Sequence, residues 1–234
     1  DSVVTIFESA LCRTTSTVVS TNDYILIVDP NWLPSEINTI KNYVNEIKAN
    51  KPLYLLFTHS DFDHIIGYKA FPDAIVITSK AFNENPNKIN VLEEINRFDD
   101  EYYIKRDYLI EYPKGNIIVS NDKEKLRIGN TELIFYQAKG HNADGIFTII
   151  EPYGILIVGD YLSNIEFPYI YYSGKKYLNT LDKAKQIIQE YKINMLIPGH
   201  GDYTKNAKEM LKREENSRRY IIDLVDAIAT KKEF

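Results

Sequence analysis

The chain has 234 residues, 44% of them hydrophobic, and a formal net charge of -5. That length and apolar content suit one sizeable core, and no Pro/Gly/Ser-rich linker divides it, so residues 1–234 read as a single domain. The acidic balance argues against the basic face that nucleic acid or an anionic membrane surface requires, and the lone cysteine, Cys12, excludes internal disulfides and thiolate metal sites alike.

In chain order, the first three strands are expected at 3–8, 15–20 and 24–28, with Thr21-Asn22-Asp23 turning between the last two. A helix follows from Pro34, because Ile37, Ile40, Val44 and Ile47 share one face, and Ala49-Asn50-Lys51-Pro52 ends it. Leu53-Tyr54-Leu55-Leu56-Phe57 is an all-apolar run of the kind that forms a strand buried on both faces. A short helix around 65–68 and a strand at 74–78 come next. Residues 82–114 are less decided. Leu92, Ile95 and Phe98 have helical spacing, whereas Asp99-Asp100-Glu101 and the tyrosines after it also suit an exposed flap. The second half predicts strands at 116–119, 132–138, 145–150, 154–158 and 193–197. Leu181, Ala184, Ile188 and Tyr191 mark a helix before the last strand, and a long helix over 205–230 closes the chain. Strand-rich halves, each closed by helices, suggest two packed sheets with helices outside.

The junctions after these strands concentrate polarity. Thr58-His59-Ser60-Asp61-Phe62-Asp63-His64 directly follows the apolar run and presents two imidazoles and two carboxylates within six residues. Unpaired carboxylates are costly to bury, and one metal ion would satisfy all these groups together. Later strands run into Gly140-His141, Gly159-Asp160 and Gly199-His200-Gly201. All four histidines therefore lie at strand-to-loop junctions, where a rigid scaffold usually carries its chemistry. Imidazole and carboxylate suit zinc, iron and manganese.

In order and spacing these clusters resemble the metallo-β-lactamase-fold hydrolase superfamily, whose pattern is H-x-H-x-D-H after a strand, then Gly-His, Gly-Asp and a later Gly-His. The likeness spans roughly residues 3–205 and is specific for fold rather than substrate. It implies an α/β (α+β) fold, a four-layer αββα sandwich of two mixed β-sheets flanked by helices, with a two-metal site at one edge. Carried onto this chain, it implies that His59, Asp61 and His141 hold a first metal, that Asp63, His64 and His200 hold a second, and that Asp160 bridges them. The departure is Asp61, where most of the superfamily has histidine. The flavodiiron oxygen reductases of the same superfamily also place a carboxylate there, a glutamate.

With Asp61 ligating, three carboxylates face two divalent cations, and a bridging hydroxide brings the cluster to about zero formal charge. Harder metals then compete better, so the expected cofactors are two divalent ions, zinc first, with manganese or iron accepted. The implied chemistry is hydrolysis of an ester, lactone, thioester or phosphodiester by a bridging hydroxide, with Asp63 or Asp160 orienting the nucleophile and relaying its proton. The alternatives are a di-iron oxygen or nitric oxide reductase, suggested by the carboxylate at 61, and a non-catalytic metal-binding module.

Thr58 and Asp29 are expected behind the ligating imidazoles or as turn caps, and Tyr161, Asn164, Tyr171, Tyr172 and Lys175 are candidates for substrate contact. Asp144 and Asp202 read as turn residues. The expected partner is a small-molecule substrate, with no nucleic acid and no membrane, and the expected location is cytoplasmic.

Overall fold

The computed structural model describes residues 3–230, so the first two and last four residues of the expected domain lie outside the described residues. One sheet has six strands in chain order: β1 (Val3–Glu8), β2 (Thr15–Ser20), β3 (Ile25–Val28), β4 (Leu53–Leu56), β5 (Ile75–Ser79) and β6 (Ile117–Val119). Its first three strands are antiparallel and β3 through β6 run parallel. The second sheet contains β7 (Glu124–Ile128), β8 (Thr131–Gln137), β9 (Ile146–Glu151), β10 (Ile155–Ile157) and β11 (Met195–Ile197), in the order β11-β10-β9-β8-β7. Only β10 and β11 pair in parallel there. Both sheets are thus mixed, as expected.

The apolar runs follow from the layering. Leu26, Val28, Leu56 and Ile77 face Leu133, Phe135, Ile150 and Ile157 across the space between the sheets. The alternate residues Ile25, Ile27, Leu55 and Phe57 point outward and are covered by helices. A strand sandwiched this way needs apolar side chains on both faces, which removes the usual alternation.

Helix α1 (Pro34–Lys48) lays Ile37, Ile40 and Val44 on the first sheet, each such burial contributing about 1.5–3 kcal/mol. Pro at its first position needs no N–H partner, and the Glu36 carboxylate accepts from the backbone N–H of Leu33 at 2.9 Å. Three further helices complete that side: α2 (Phe62–Ile65), α3 (Lys80–Asn83) and α4 (Lys88–Glu101), with Ile95 of α4 packed into the outer core. The segment 82–114 is therefore partly a helix, followed by an irregular stretch. Tyr108, Ile110 and Tyr112 of that stretch return to the same core. Helices α5 (Gly174–Glu190) and α6 (Ala207–Thr230) cover the second sheet through Tyr177, Leu181, Ala184, Ile187, Met210 and Ile221.

One strand was not anticipated. In β7, Leu126 and Ile128 reach the core between the sheets while Lys125 and Arg127 are exposed, and Gly129-Asn130 turns the chain into β8.

Candidate metal centre

Four strand ends deliver the seven residues singled out above. Past β4 the chain passes through Thr58 and His59 into α2, which carries Asp63 and His64 with Asp61 immediately before it. His141 follows β8, Asp160 follows β10 and His200 follows β11. The rings of His59 and His64 lie 4.1 Å apart between centroids, His59 and His141 5.0 Å, and His64 and His200 5.4 Å.

Two groups form around Asp160. Its Oδ2 is 3.5 Å from Nε2 of His59 and 3.3 Å from Nε2 of His141, and Asp61 Oδ2 lies 3.5 and 3.0 Å from the same two nitrogens. Its Oδ1 is 3.1 Å from Nε2 of His64 and 3.5 Å from Nε2 of His200, and Asp63 Oδ2 is 3.5 Å from each. One oxygen of Asp160 thus serves each histidine pair. Within each of the sets His59/Asp61/His141/Asp160 and Asp63/His64/His200, one donor atom per residue falls within 4.8 Å of the others, close enough to share an ion.

The outward-facing nitrogens fix the tautomers. Nδ1 of His141 is 2.9 Å from the carbonyl oxygen of Tyr169, and Nδ1 of His200 is 3.0 Å from that of Cys12. A carbonyl only accepts, so both Nδ1 atoms carry the proton. Nδ1 of His64 donates to Asp29 Oδ2 at 3.0 Å. The Thr58 hydroxyl spends its proton on that same oxygen at 2.5 Å, so it accepts from Nδ1 of His59 at 3.0 Å. In the neutral imidazoles all four Nε2 atoms would therefore turn a lone pair to the interior, where a cation, either a proton or a metal, is favoured. Those of His64 and His200 face each other at 3.4 Å, an arrangement that is repulsive between neutral imidazoles and favourable around a cation.

Unpaired atoms tell the same story. Asp160 Oδ1 and His59 Nε2 are buried without a hydrogen-bond partner among the described residues, and such atoms are costly unless an ion or water satisfies them. Burial pushes the histidines toward neutrality, yet the carboxylates outweigh it. His59 and His200 are raised to about 9, chiefly by Asp160, and His64 and His141 are raised well above their usual range. Burial also opposes charge on Asp160, but His64, His59 and His200 hold it well below the usual carboxylate range. The cluster thus attracts positive charge, and the donor set fits a divalent metal pair.

The profile of the metallo-β-lactamase superfamily matches residues 10–216. The chain belongs to that superfamily. No curated protein matches it in sequence. Its fold is similar to that of the BLEG-1 B3 metallo-β-lactamase (16% identity, TM-score 0.67, 94% of this chain and 99% of that one). It is also similar to a metallo-β-lactamase family protein from Thermus thermophilus (16%, 0.68, 96% and 81%). A third similar structure is a sec-alkylsulfatase from Pseudomonas sp., of which this chain matches 40% while 93% of its own length is covered (13%, 0.70). These likenesses establish the fold alone.

In this superfamily member the cluster of histidines and aspartates opens into a cleft of about 570 Å³. Tyr171 lines it, as anticipated. Tyr161 does not, because its ring is in the outer core and its hydroxyl accepts from the His141 backbone N–H at 3.0 Å. Asn164 turns to Asp202 and its loop, and Lys175 is exposed at the start of α5. Tyr172 lines a neighbouring depression instead. Asp202 pairs with Arg13 at 2.5 Å, while Asp144 accepts from the Ser60 backbone N–H at 3.4 Å, so each joins its loop to a segment distant in sequence. Asp29 is more than a cap, since its Oδ1 also accepts from the Thr58 N–H at 2.9 Å.

Sequence reasoning missed Trp32, Glu166 and the cleft face of α4. Glu166 Oε1 lies 3.6 Å from Nδ1 of His200, and it forms a third candidate ion group with His200 and Asp160. The available signal for α4 was a polar stripe, Asn87, Asn90 and Glu94, at helical spacing on the side away from Ile95.

Proposed function

We propose that this protein is a hydrolase that works with two divalent metal ions, one held by His59, Asp61 and His141, the other by Asp63, His64 and His200, with Asp160 shared between them. The observation that carries this reading is the set of four inward Nε2 atoms, each ring oriented by a partner on Nδ1, arranged around the two oxygens of one carboxylate. A bound metal pair would supply Lewis acidity and a nucleophilic water at neutral pH.

The chain's own residues would do the rest. Asp160, its Oδ1 buried and its carboxylate held ionised, would fix the spacing of the two ligand sets. Asp63, at the mouth of α2 and lining the cleft, would take up and release the proton of the attacking nucleophile. Trp32 and Phe62, packed edge to face at 5.5 Å, would shield one side of the reacting group from water. The substrate class is an ester, lactone, thioester or phosphodiester.

Asp61 and the nearby Glu166 enrich the cluster in carboxylate, which supports manganese or iron as functional alternatives to zinc. The test is metal quantification followed by a hydrolysis screen on model esters, lactones, thioesters and bis-p-nitrophenyl phosphate, comparing wild type with His64→Ala. Turnover that needs the metal and His64 supports the reading. Turnover indifferent to both, or absent with metal bound, overturns it.

A further inference from the structure

The cleft beside the cluster contains neither lysine nor arginine among its lining residues. Two carboxylates besides the three aspartates of the cluster do line it, Glu94 from α4 and Glu166 from the loop after β10. If two divalent ions and a hydroxide bring Asp61, Asp63 and Asp160 to about zero net charge, these glutamates add negative charge over the reacting centre, Glu166 beside His200 and Glu94 on the opposite wall. Glu94 makes no ion pair at contact distance among the described residues. Arg97 acts on it along α4, but Arg97 is not part of the cleft.

The remaining walls fit the same ligand chemistry. Tyr169 and Tyr171 stack at 6.2 Å with planes 10° apart on the cleft wall, and aromatic rings of this kind attract cations and exclude none of the neutral groups. The side-chain amides of Asn87 and Asn90 line the cleft without partners among the described residues, and each offers both donors and an acceptor to an uncharged polar group. Among the described residues no cationic side chain of the lining would compensate a carboxylate, sulfate or phosphate on the substrate away from the metals.

Resting on the hydrolase reading above, we infer that the substrate carries no negative charge: it is a neutral polar or cationic ester, lactone or thioester, and Glu94 is a determinant of that selectivity. Phosphodiesters, permitted by the cluster alone, fall outside this class. Electrostatic selection of this kind acts on both encounter and binding, and it weakens as salt shortens the Debye length from about 30 Å at 0.01 M to about 3 Å at 1 M.

The experiment uses the metal-loaded protein and three 4-nitrophenyl esters of similar size: the butyrate, its 4-trimethylammonio derivative and the hemisuccinate. At low ionic strength kcat/KM is expected to be at least about tenfold lower for the anionic ester than for the other two, with the gap narrowing in high salt. Glu94→Lys is expected to narrow or invert the ratio of cationic to anionic ester, chiefly through KM, and Glu94→Gln to move it partway. An anionic ester turned over as well as the others, or a ratio untouched by Glu94→Lys, overturns the inference. If none of the three is hydrolysed, the hydrolase reading is decided by the wider screen of lactones, thioesters and bis-p-nitrophenyl phosphate, and the charge preference is decided by binding. Trp32, the sole tryptophan, reports occupancy of the cleft through its fluorescence. A response to choline at lower concentration than to isethionate supports the inference, and the reverse order overturns it.

Discussion

Asp29 Oδ2 accepts the Nδ1 proton of His64 at 3.0 Å and, through the Thr58 hydroxyl, also governs Nδ1 of His59. One buried carboxylate at the end of β3 thereby orients an imidazole in each of the two His/Asp groups. Asp29 sits at a φ of 45°, in the left-handed region, where asparagine is tolerated. Asp29→Asn should therefore fold normally yet lower metal affinity by about 10–100-fold, the usual consequence of losing such a partner. Metal retention under graded chelator concentrations measures this, and unchanged retention would contradict it.

Asp61 is the most exposed of the carboxylates in the cluster, at 27% for its side chain, and its second oxygen accepts from the Asn142 amide. Replacing it with histidine removes one negative charge from the His59/His141 group. Asp61→His should shift metal preference toward zinc, seen as a fall in manganese uptake relative to zinc when the stripped protein is offered both. Equal uptake ratios in the two proteins would remove Asp61 from the metal's surroundings.

Gly199 stands where the backbone after β11 passes the cluster. A Cβ there would run into Asp160 Oδ1 and come within 2.9 Å of His64 Cε1 and 3.0 Å of the Gly159 carbonyl carbon. Gly199→Ala should cost about 1–3 kcal/mol by overpacking and displace the shared carboxylate. Thermal denaturation and metal content together check it. A stability loss with full metal content would mean that Asp160 can move without consequence.

Away from the cluster, Glu36 ties the end of β1 to the start of α1. Its carboxylate accepts from Ser9 Oγ at 2.8 Å and from the backbone N–H groups of Ala10, Leu33 and Trp32 at 2.9, 2.9 and 3.2 Å. Burial acts to raise its pKa, but these bonds prevail and lower it from the ordinary 4.5. A depressed carboxylate stabilises above its unfolded value and loses that contribution as pH falls through the folded one. Glu36→Ala should therefore cost about 1.5–3 kcal/mol at neutral pH, with the difference from wild type shrinking as pH falls below about 4.5. Urea denaturation at a series of pH values measures it, and a pH-independent difference would contradict the assignment.

Much of this was legible in the sequence for identifiable reasons. The strands at the centre of each sheet are apolar on both faces, so their ends were visible as abrupt changes to His, Asp and Gly. The seven cluster residues sit at those changes. Strand β7 was missed because it is an edge strand with one solvated face, and Glu124-Lys125-Leu126-Arg127-Ile128 carries only two large apolar residues. The substrate candidates were chosen by proximity in sequence to Asp160. Tyr161 and Asn164 fail because the chain reverses there, sending the tyrosine ring into the core and the amide toward Asp202. Trp32 and Glu94 reach the cleft from segments distant in sequence, Glu94 through the packing of α4 over α2 and Trp32, just before α1, through its contacts with Phe62 and Phe98.

The most direct test of the account is the metal content of purified protein equilibrated with zinc, manganese or ferrous iron and then desalted, for wild type and His64→Ala. About two divalent ions per wild-type chain are expected, with loss of the ion held by the Asp63/His64/His200 group in the variant and ester hydrolysis falling in step. A wild-type protein that retains no stoichiometric metal under any of these conditions would contradict it.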